Sequence, residues 1–249
     1  MNPNVAISII IPTLNEEDNV MPLVKRIHTV LTSQKITYEI LFIDDKSTDK
    51  TREIIQSLTK KYPVQFFTKV HQPGKAQSLI EGLAKAQYDY CGFIDADLQY
   101  PPEAIPQMIT KLIDGSDIVV ANRKEQQTSF IRRLASRTFM YLFARVLHGI
   151  KCDVQSGLKV FRKEVFASVA IAPSPWTFDM EFLVKARALG YTIGTVPITF
   201  TTRVAGQTKI NLIGATIEIG FHALKLKAVL LAQSIQQFLQ TLKSFRISE

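Results

Sequence analysis

Two carboxylates two residues apart, Asp95 and Asp97, follow directly on the apolar run Cys91-Gly92-Phe93-Ile94. Carboxylate oxygens are hard donors, suited to Mg2+ or Mn2+ that holds a substrate phosphate. The plainer alternative is that one Asp caps the next helix and the other is solvated. The apolar run reads as a buried strand. Open α/β sheets bind ligands at the carboxyl ends of their strands. Two other expected strand ends carry compatible groups, Pro12-Thr13-Leu14-Asn15-Glu16 and Asp44-Asp45. In a parallel sheet the three ends share one edge. Together they make an acidic, hydroxyl-bearing rim suited to a nucleotide and a metal. Neither G-x-G-x-x-G nor the P-loop pattern occurs, so the phosphates fall to a metal and basic side chains. That weighs against a dinucleotide oxidoreductase and a P-loop NTPase.

The elements that must position these groups alternate. Ala6 to Ile11 reads as a first strand, and Thr13 to Glu16 as a capping box with Glu three residues after Thr. The helix behind it has Val20, Leu23, Val24, Ile27, Val30 and Leu31 on one face. Tyr38 to Ile43 is a second strand, and Ser47-Thr48-Asp49 can cap a helix holding Ile54, Ile55 and Leu58. Val64 to Val70 is a third strand. A loop with Pro73-Gly74-Lys75 opens a helix carrying Leu79, Ile80 and Leu83. The Cys91 strand, a Pro-led helix from Pro102 to about Ile113 and a strand from Ile118 to Ala121 complete the first half. Short connections in a β-α-β-α series imply a mostly parallel sheet with helices on both faces.

After Lys124 the chain becomes more helical and more basic. Phe130 to Ile150 combines Ile131, Leu134, Leu142 and Val146 with Arg132, Arg133, Arg137 and Arg145. Val160-Phe161 reads as strand, Phe178 to Leu189 as helix, and Tyr191 to Phe200 as a late strand whose Pro197 suggests an edge or bulge. Leu212 to about Phe245 is amphipathic and helical, and its charges interrupt any stretch of about 20 apolar residues, so no membrane span is expected. Packing on the core and lying in a membrane interface are both open readings of that helix.

The 249 residues are 46% hydrophobic and 21% charged, ordinary for a globular chain. Cys91 and Cys152 make no disulfide framework, which fits a reducing cytosolic setting. No N-terminal signal is expected, because Met1-Asn2-Pro3-Asn4 leads almost directly into a strand. The net charge of +8 suggests an anionic partner: a phosphorylated substrate, a membrane surface or nucleic acid. The chain has no zinc-ligand spacing or RNA-binding signature to support nucleic acid. His28, His71, His148 and His222 fall in no catalytic pattern.

Taken together, Ile11 to Glu16, Ile43 to Ser47, Asp95 to Glu103, Arg132-Arg133 with Ser136, Ser156-Gly157, and Gly190 to Ile198 running on to Arg203 to Lys209 resemble the family 2 glycosyltransferases. The likeness runs from about Ile7 to Lys227, and the Arg203 to Lys209 segment narrows it to enzymes with polyprenyl-phosphate acceptors, the dolichol-phosphate mannosyltransferases above all. The resemblance implies a Rossmann-like GT-A fold in an α/β catalytic domain over 1-210, with an amphipathic helical extension over 211-249. It also implies that Pro12, Leu14, Glu16, Ile43 and Asp45 meet the base and ribose of a sugar nucleotide. Asp95 and Ala96 would line the donor site, and Asp97 and Gln99 would bind Mg2+ or Mn2+. Arg123, Arg203 and Lys209 would meet the donor phosphates, and Arg132 with Ser136 the acceptor phosphate. The family usually has Tyr where this chain has Leu14, so only a backbone contact with the base is expected there.

A phosphate monoester has a second pKa of about 6 and is already an anion at neutral pH. A polyprenyl phosphate can therefore attack directly, with inversion at the anomeric carbon, and needs no general base. The leading expectation is transfer of a hexose, mannose from GDP-mannose, to a polyprenyl phosphate. The work would be done peripherally at the cytoplasmic face of a membrane, with a small membrane-anchoring protein as a candidate partner. A UDP-sugar donor, a saccharide acceptor, and a non-catalytic nucleotide- or lipid-binding module are the alternatives.

Overall fold

Helix and strand alternate as the apolar periodicity requires. The series is β1 (Ala6–Thr13), α1 (Glu17–Ser33), β2 (Thr37–Asp44), α2 (Thr51–Leu58), β3 (Val64–Thr68), α3 (Lys75–Lys85) and β4 (Tyr90–Phe93). A 3₁₀ turn (Pro102–Ala104) then leads into α4 (Ile105–Ile113) and β5 (Ile118–Arg123). The rest is β6 (Lys159–Arg162), α5 (Lys163–Ser168), α6 (Phe178–Ala188) and β7 (Ile193–Ile198). The computed structural model describes residues 5–123, 144–171, 177–201, 220–232 and 235–236.

The seven strands form one sheet in the order β3-β2-β1-β4-β6-β5-β7. β1 to β4 are parallel, β6 is antiparallel to both β4 and β5, and β7 is parallel to β5. This is the mostly parallel α/β sheet that the sequence implies. The opposed strand has a physical reason. β5 leaves the sheet at the edge where β1, β2 and β4 also end. A strand re-entering from that same edge needs no crossover and must run the other way. Its amino end, Lys159, therefore lies at the rim where the other strands present their carboxyl ends.

Strand alternation divides the core in two. Ile7, Ile9 and Ile11 of β1 pack with Val20, Leu23 and Ile27 of α1 and with Ile105 and Met108 of α4. Ile10 faces the other way, with Leu79 and Leu83 of α3, Phe161 of β6 and Phe182 of α6. Each such buried side chain contributes roughly 1.5–3 kcal/mol. On that second face α3 lies so close to β1 that a Cβ on Gly82 would collide with Ile10 Cγ2. Only glycine fits there, and the close approach brings the start of α3 down to the rim.

Several expected boundaries shift. β1 runs through Thr13, so the capping box does not form: Glu16 precedes α1 without a side-chain cap of its own. β3 stops at Thr68, because Lys69 and Val70 turn away toward α3. The Pro-led helix begins as a 3₁₀ turn and becomes α-helical only at Ile105. β7 is shorter than Tyr191 to Phe200 and is an edge strand, which is how it tolerates Pro197. The short helix α5 has no clear signal in the apolar pattern.

Of the expected helix Phe130 to Ile150, residues 130–143 lie outside the described residues, as does the expected domain boundary at 210/211. Residues 220–232 are helical. Ala223, Leu226 and Leu230 of this helix pack on the second core, while Phe221, Leu224 and Leu231 on its other side are exposed. Among the described residues no helix is long and apolar enough to cross a membrane.

Candidate active site

Strand register sets the rim. Thr13 pairs with Asp44, and Asp44 with Thr68, so three strands end level with one another. The ladder continues one step beyond, with Asp45 N donating to Thr13 O at 2.8 Å and Lys69 N to Asp44 O at 2.9 Å. The loops that follow β1 and β2 then cap each other. Asn15 N donates to Ser47 Oγ (3.0 Å), Glu16 N to Thr51 Oγ1 (2.8 Å) and Glu17 N to Asp49 Oδ2 (3.2 Å). In return Lys50 N donates to Glu17 Oε2 (2.9 Å), and Thr48 N to Asn15 Oδ1 (2.8 Å). The N–H groups at the start of α1 are thus satisfied from another segment, which no local pattern announces.

The paired aspartates at the end of β2 divide their labour. Asp44 is fully buried, accepts from Ser47 N and Oγ, and receives Arg52 Nε at 2.7 Å. It holds the loop together. Asp45 keeps some exposure; its Oδ2 takes Lys69 Nζ at 2.5 Å and Gly74 N at 2.8 Å. Lys69 also donates to Gly74 O at 3.2 Å. Gly74 has φ +119°, a conformation other residues rarely adopt, and this lets the chain bend from the Asp45 clasp straight into α3. Pro12 and Glu16 are half-buried, and Leu14 is 45% exposed. Ile43 is fully buried, with its side chain under Gly82 of α3 and its carbonyl accepting from Thr13 Oγ1 at 3.5 Å, so the structure leaves no part of it exposed at the rim.

Beyond β4 the chain turns sharply, with Leu98 at φ +62°. Asp97 is only 5% exposed, and its Oδ1 accepts from Gln99 N at 3.2 Å. Gln99 Nε2 donates to Thr201 O and Thr201 N to Gln99 O, both at 3.2 Å. Gln99 therefore fixes the point from which the chain departs toward Arg203 and Lys209. Those two residues, like Arg132 and Ser136, lie outside the described residues.

Asp95 is gripped from two sides. Lys75 Nζ is 2.6 Å from Oδ1, and a Cβ on Gly157 would collide with Oδ2. Burial pushes the Asp95 carboxyl above the usual carboxylate range, with Asp97 adding to that and Lys75 opposing it. Ala96 between them is buried. Gly157→Ala is therefore expected to drive Asp95 off its position. We expect at least a tenfold rise in donor KM, in keeping with the sensitivity of positioned groups to small displacements. Unchanged steady-state kinetics with a folded protein would refute this.

Arg123, at the end of β5, makes a two-pronged pair with Asp153, with Nε on Oδ2 and Nη2 on Oδ1 at 3.0 Å. Its guanidinium stacks 5.1 Å from the Phe200 ring, which in turn lies edge-on to Tyr100 at 5.0 Å. Asn122 Oδ1 accepts from Asp153 N at 2.9 Å, completing the support. The guanidinium is also close enough to Asp95 and Asp179 to influence their charges.

Lys69, Lys75, Asp153, Lys159 and Asp179 belong to the site although no sequence motif marks them. Lys159, 1% exposed, puts Nζ 2.6 Å from Asp179 Oδ1 and also donates to Ser156 O. An Asp in the first turn of a helix ordinarily reads as complementing the helix dipole, and a Lys in an apolar strand as a boundary. Neither residue type nor spacing singles them out; β6 and α6 make them neighbours.

Burial raises the cost of the Asp179 charge, but Lys159, Lys75 and Arg123 outweigh it and hold its pKa below the ordinary value. A carboxylate with a depressed folded-state pKa contributes stability above its unfolded value of about 3.9, lost as pH falls through the lower folded value. The raised pKa of Asp95 has the opposite sign. The urea midpoint of the wild type is expected to fall more steeply between about pH 5 and pH 2.5 than that of Asp179→Asn. Parallel curves would remove Asp179 from the acid response.

The donor set can be judged against a divalent cation. Among the described residues no group of three or more His, Cys, Asp and Glu side chains is placed to hold a metal ion. Asp97 would contribute carboxylate oxygens. The Gln99 amide nitrogen is engaged by Thr201, which leaves its carbonyl oxygen as an acceptor. Two hard oxygen ligands, with the remainder from phosphate and water, suit Mg2+ or Mn2+. Asp45, Asp95, Asp153 and Asp179 are each engaged by a Lys or Arg.

Known proteins share this architecture. The chain is 36% identical over 218 residues to a dolichol-phosphate mannosyltransferase of Pyrococcus furiosus, covering 85% of this chain and 60% of that protein. It is 27% identical over 208 residues to an undecaprenyl-phosphate 4-deoxy-4-formamido-L-arabinose transferase of Edwardsiella ictaluri, covering 83% of this chain and 63% of that one. The chain thus spans about three fifths of the length of these curated relatives. In fold it is similar to glucosyl-3-phosphoglycerate synthase of Mycobacterium tuberculosis, solved with Mn2+, UDP-glucose and phosphoglyceric acid. The TM-score is 0.73 and the identity 19%, with 90% of this chain and 80% of that one covered. The family model for glycosyl transferase family 2 matches residues 8–169, from β1 through α5, and the chain belongs to that family.

Proposed function

We propose that this chain transfers a hexose, mannose from GDP-mannose in the first instance, to a polyprenyl phosphate. The observation that carries the reading is the rim itself. Asp97 and Gln99 offer oxygen ligands beside Arg123, Lys75 and the start of α3, which together can meet a departing diphosphate. The 36% likeness to a dolichol-phosphate mannosyltransferase supports the acceptor class and the sugar. The Mn2+ in the glucosyl-3-phosphoglycerate synthase structure supports a divalent cation.

Asp97 and Gln99 would hold the cation, which when bound neutralises charge on the diphosphate as it leaves. Pro12, Glu16 and Asp45 would seat the nucleoside on the loops that β1 and β2 clasp together. Arg123, held flat by Asp153 and Phe200, presents a preorganised positive charge. A charge already in place where negative charge develops costs no reorganisation during the reaction, and this is commonly the main source of rate enhancement. An acceptor phosphate oxygen forms its bond to the anomeric carbon as the bond to the nucleoside diphosphate breaks with its electron pair. No proton has to be removed, so the reaction asks for no general base. The exposed stripe of Phe221, at 67%, with Leu224 and Leu231 beside Lys225 and Lys227, supports contact with an anionic membrane surface where the acceptor resides.

The test is a panel of radiolabelled GDP- and UDP-sugars with a membrane lipid extract and Mg2+ or Mn2+. Label from GDP-mannose entering the organic phase is the expected result. Label from a UDP-sugar alone would correct the donor, label in a water-soluble saccharide would correct the acceptor, and no transfer of any label would overturn the reading.

A further inference from the structure

Lys69 is a buried cation to which the proposed reaction gives no task. Its side chain is fully buried just beyond β3, with Nζ 2.5 Å from Asp45 Oδ2. The same ammonium donates to Gly74 O at 3.2 Å. Gly74 N donates to Asp45 Oδ2 at 2.8 Å, so this one oxygen takes both donors. The backbone closes the knot. Lys69 N donates to Asp44 O at 2.9 Å, Asp45 N donates to Thr13 O at 2.8 Å, and Gly74 leads directly into α3. The end of β2, the exit of β3 and the start of α3 thus meet at a single carboxylate.

That arrangement leaves Asp45 with one oxygen to offer. Its side chain is 13% exposed, and Oδ1 accepts from no group among the described residues. The ammonium balances the carboxylate's charge without covering Oδ1, and what remains is a fixed acceptor suited to a neutral donor. A guanine edge presents two parallel N–H donors, which a carboxylate meets with both oxygens. With Oδ2 engaged by Lys69 and Gly74, that fork is closed. A ribose hydroxyl donates once and needs only the one oxygen that Oδ1 provides.

We propose that Lys69 is a positioning residue that makes Asp45 a one-oxygen acceptor for a ribose hydroxyl of the nucleotide. It acts through Asp45 and does not itself touch the ligand, and the base is read by other groups. The inference rests on the reading of Asp45 as part of the nucleoside seat. A hydrogen bond to a charged group changes affinity by about tenfold or more.

Isothermal titration calorimetry with Mn2+ present compares GDP with 2′-deoxy-GDP, 3′-deoxy-GDP and IDP for the wild type, Lys69→Met and Asp45→Asn. Circular dichroism checks that each variant folds. If UDP binds more tightly than GDP, UDP and its two deoxy forms take the same test. In the wild type, removing one of the two ribose hydroxyls is expected to weaken binding at least tenfold. In Lys69→Met that penalty is expected to shrink to less than threefold, because GDP falls to the level of the deoxy form while the deoxy form keeps its wild-type affinity. A merely structural lesion would weaken both alike and leave their ratio unchanged. Asp45→Asn is nearly isosteric and serves where Lys69→Met does not fold. Its amide oxygen must face Lys69 and Gly74 N, which turns a neutral NH2 group outward in place of Oδ1, so the penalty should shrink there too. A smaller penalty in the wild type, or one that survives at its wild-type value in folded Lys69→Met or in Asp45→Asn, overturns the inference and leaves the nucleotide site standing. A penalty confined to IDP, which lacks the guanine amine, places the contact on the base and overturns it as well. Failure of the wild type to bind either GDP or UDP overturns the nucleotide-site reading itself, and the inference with it.

Discussion

Asp97→Ala is expected to lower kcat by about 10²–10³-fold or more, the range typical for loss of one preorganised charge-stabilising group. Donor KM is expected to rise as well, because on the proposed function the same carboxylate would hold the cation before and during bond breaking. The fold should persist. Asp97 sits after β4 on a turn already fixed by the left-handed Leu98 and by three hydrogen bonds between Gln99 and Thr201. Losing the hydrogen bond from Gln99 N removes an interaction worth roughly 1 kcal/mol. Thermal unfolding together with steady-state kinetics checks both halves. Activity within tenfold of wild type would exclude Asp97 from the cation site.

The largest stability effect is expected from Lys159→Met. The ammonium is buried at the amino end of β6, between Asp179 Oδ1 at 2.6 Å and Ser156 O. Removing one partner of a buried pair costs roughly 3–5 kcal/mol, because the other charge is left without compensation. Lys75 and Arg123 still reach Asp179, so the lower end of that range is expected. The double variant Lys159→Met/Asp179→Leu should recover much of the loss, since well-packed apolar replacements for a buried pair are often neutral. Denaturant titration of the two single variants and the double variant tests this. Additive losses would mean that the two side chains do not act as a pair. Ser156 leads into Gly157, so the single variant should also loosen the confinement of Asp95.

Much of the fold could be read directly from the chain. Parallel strands buried on both faces give continuous apolar runs, and Ile7 to Ile11 and Tyr38 to Ile43 are such runs. Helix periodicity did the same for α1, where Leu23, Val24, Ile27 and Leu31 are all buried. The capping box at Thr13 misled because a local pattern met a stronger competitor. Thr13 stays in the β1–β2 ladder opposite Asp44, and α1 is capped by Ser47, Asp49 and Thr51 instead. Hydroxyls from another loop are invisible to any reading within four residues.

Which groups stand at the carboxyl ends of the strands is a local property and follows from the chain alone. Asp45, Asp95, Asp97 and Arg123 each lie at or just beyond the end of an apolar run. What those groups do for one another follows only from the packed fold. Packing set Asp44 to hold a loop and left Asp45 at the rim, a distinction no residue type carries. It reversed β6, and so brought Gly157 and Lys159 to Asp95 and Asp179. The spans from Lys75 to Asp95, 20 residues, and from Lys159 to Asp179, also 20, are bridged by ion pairs of 2.6 Å. Charge pairing over such separations depends on how strands order and orient in the sheet, which is set by packing of the whole core rather than by any stretch of chain.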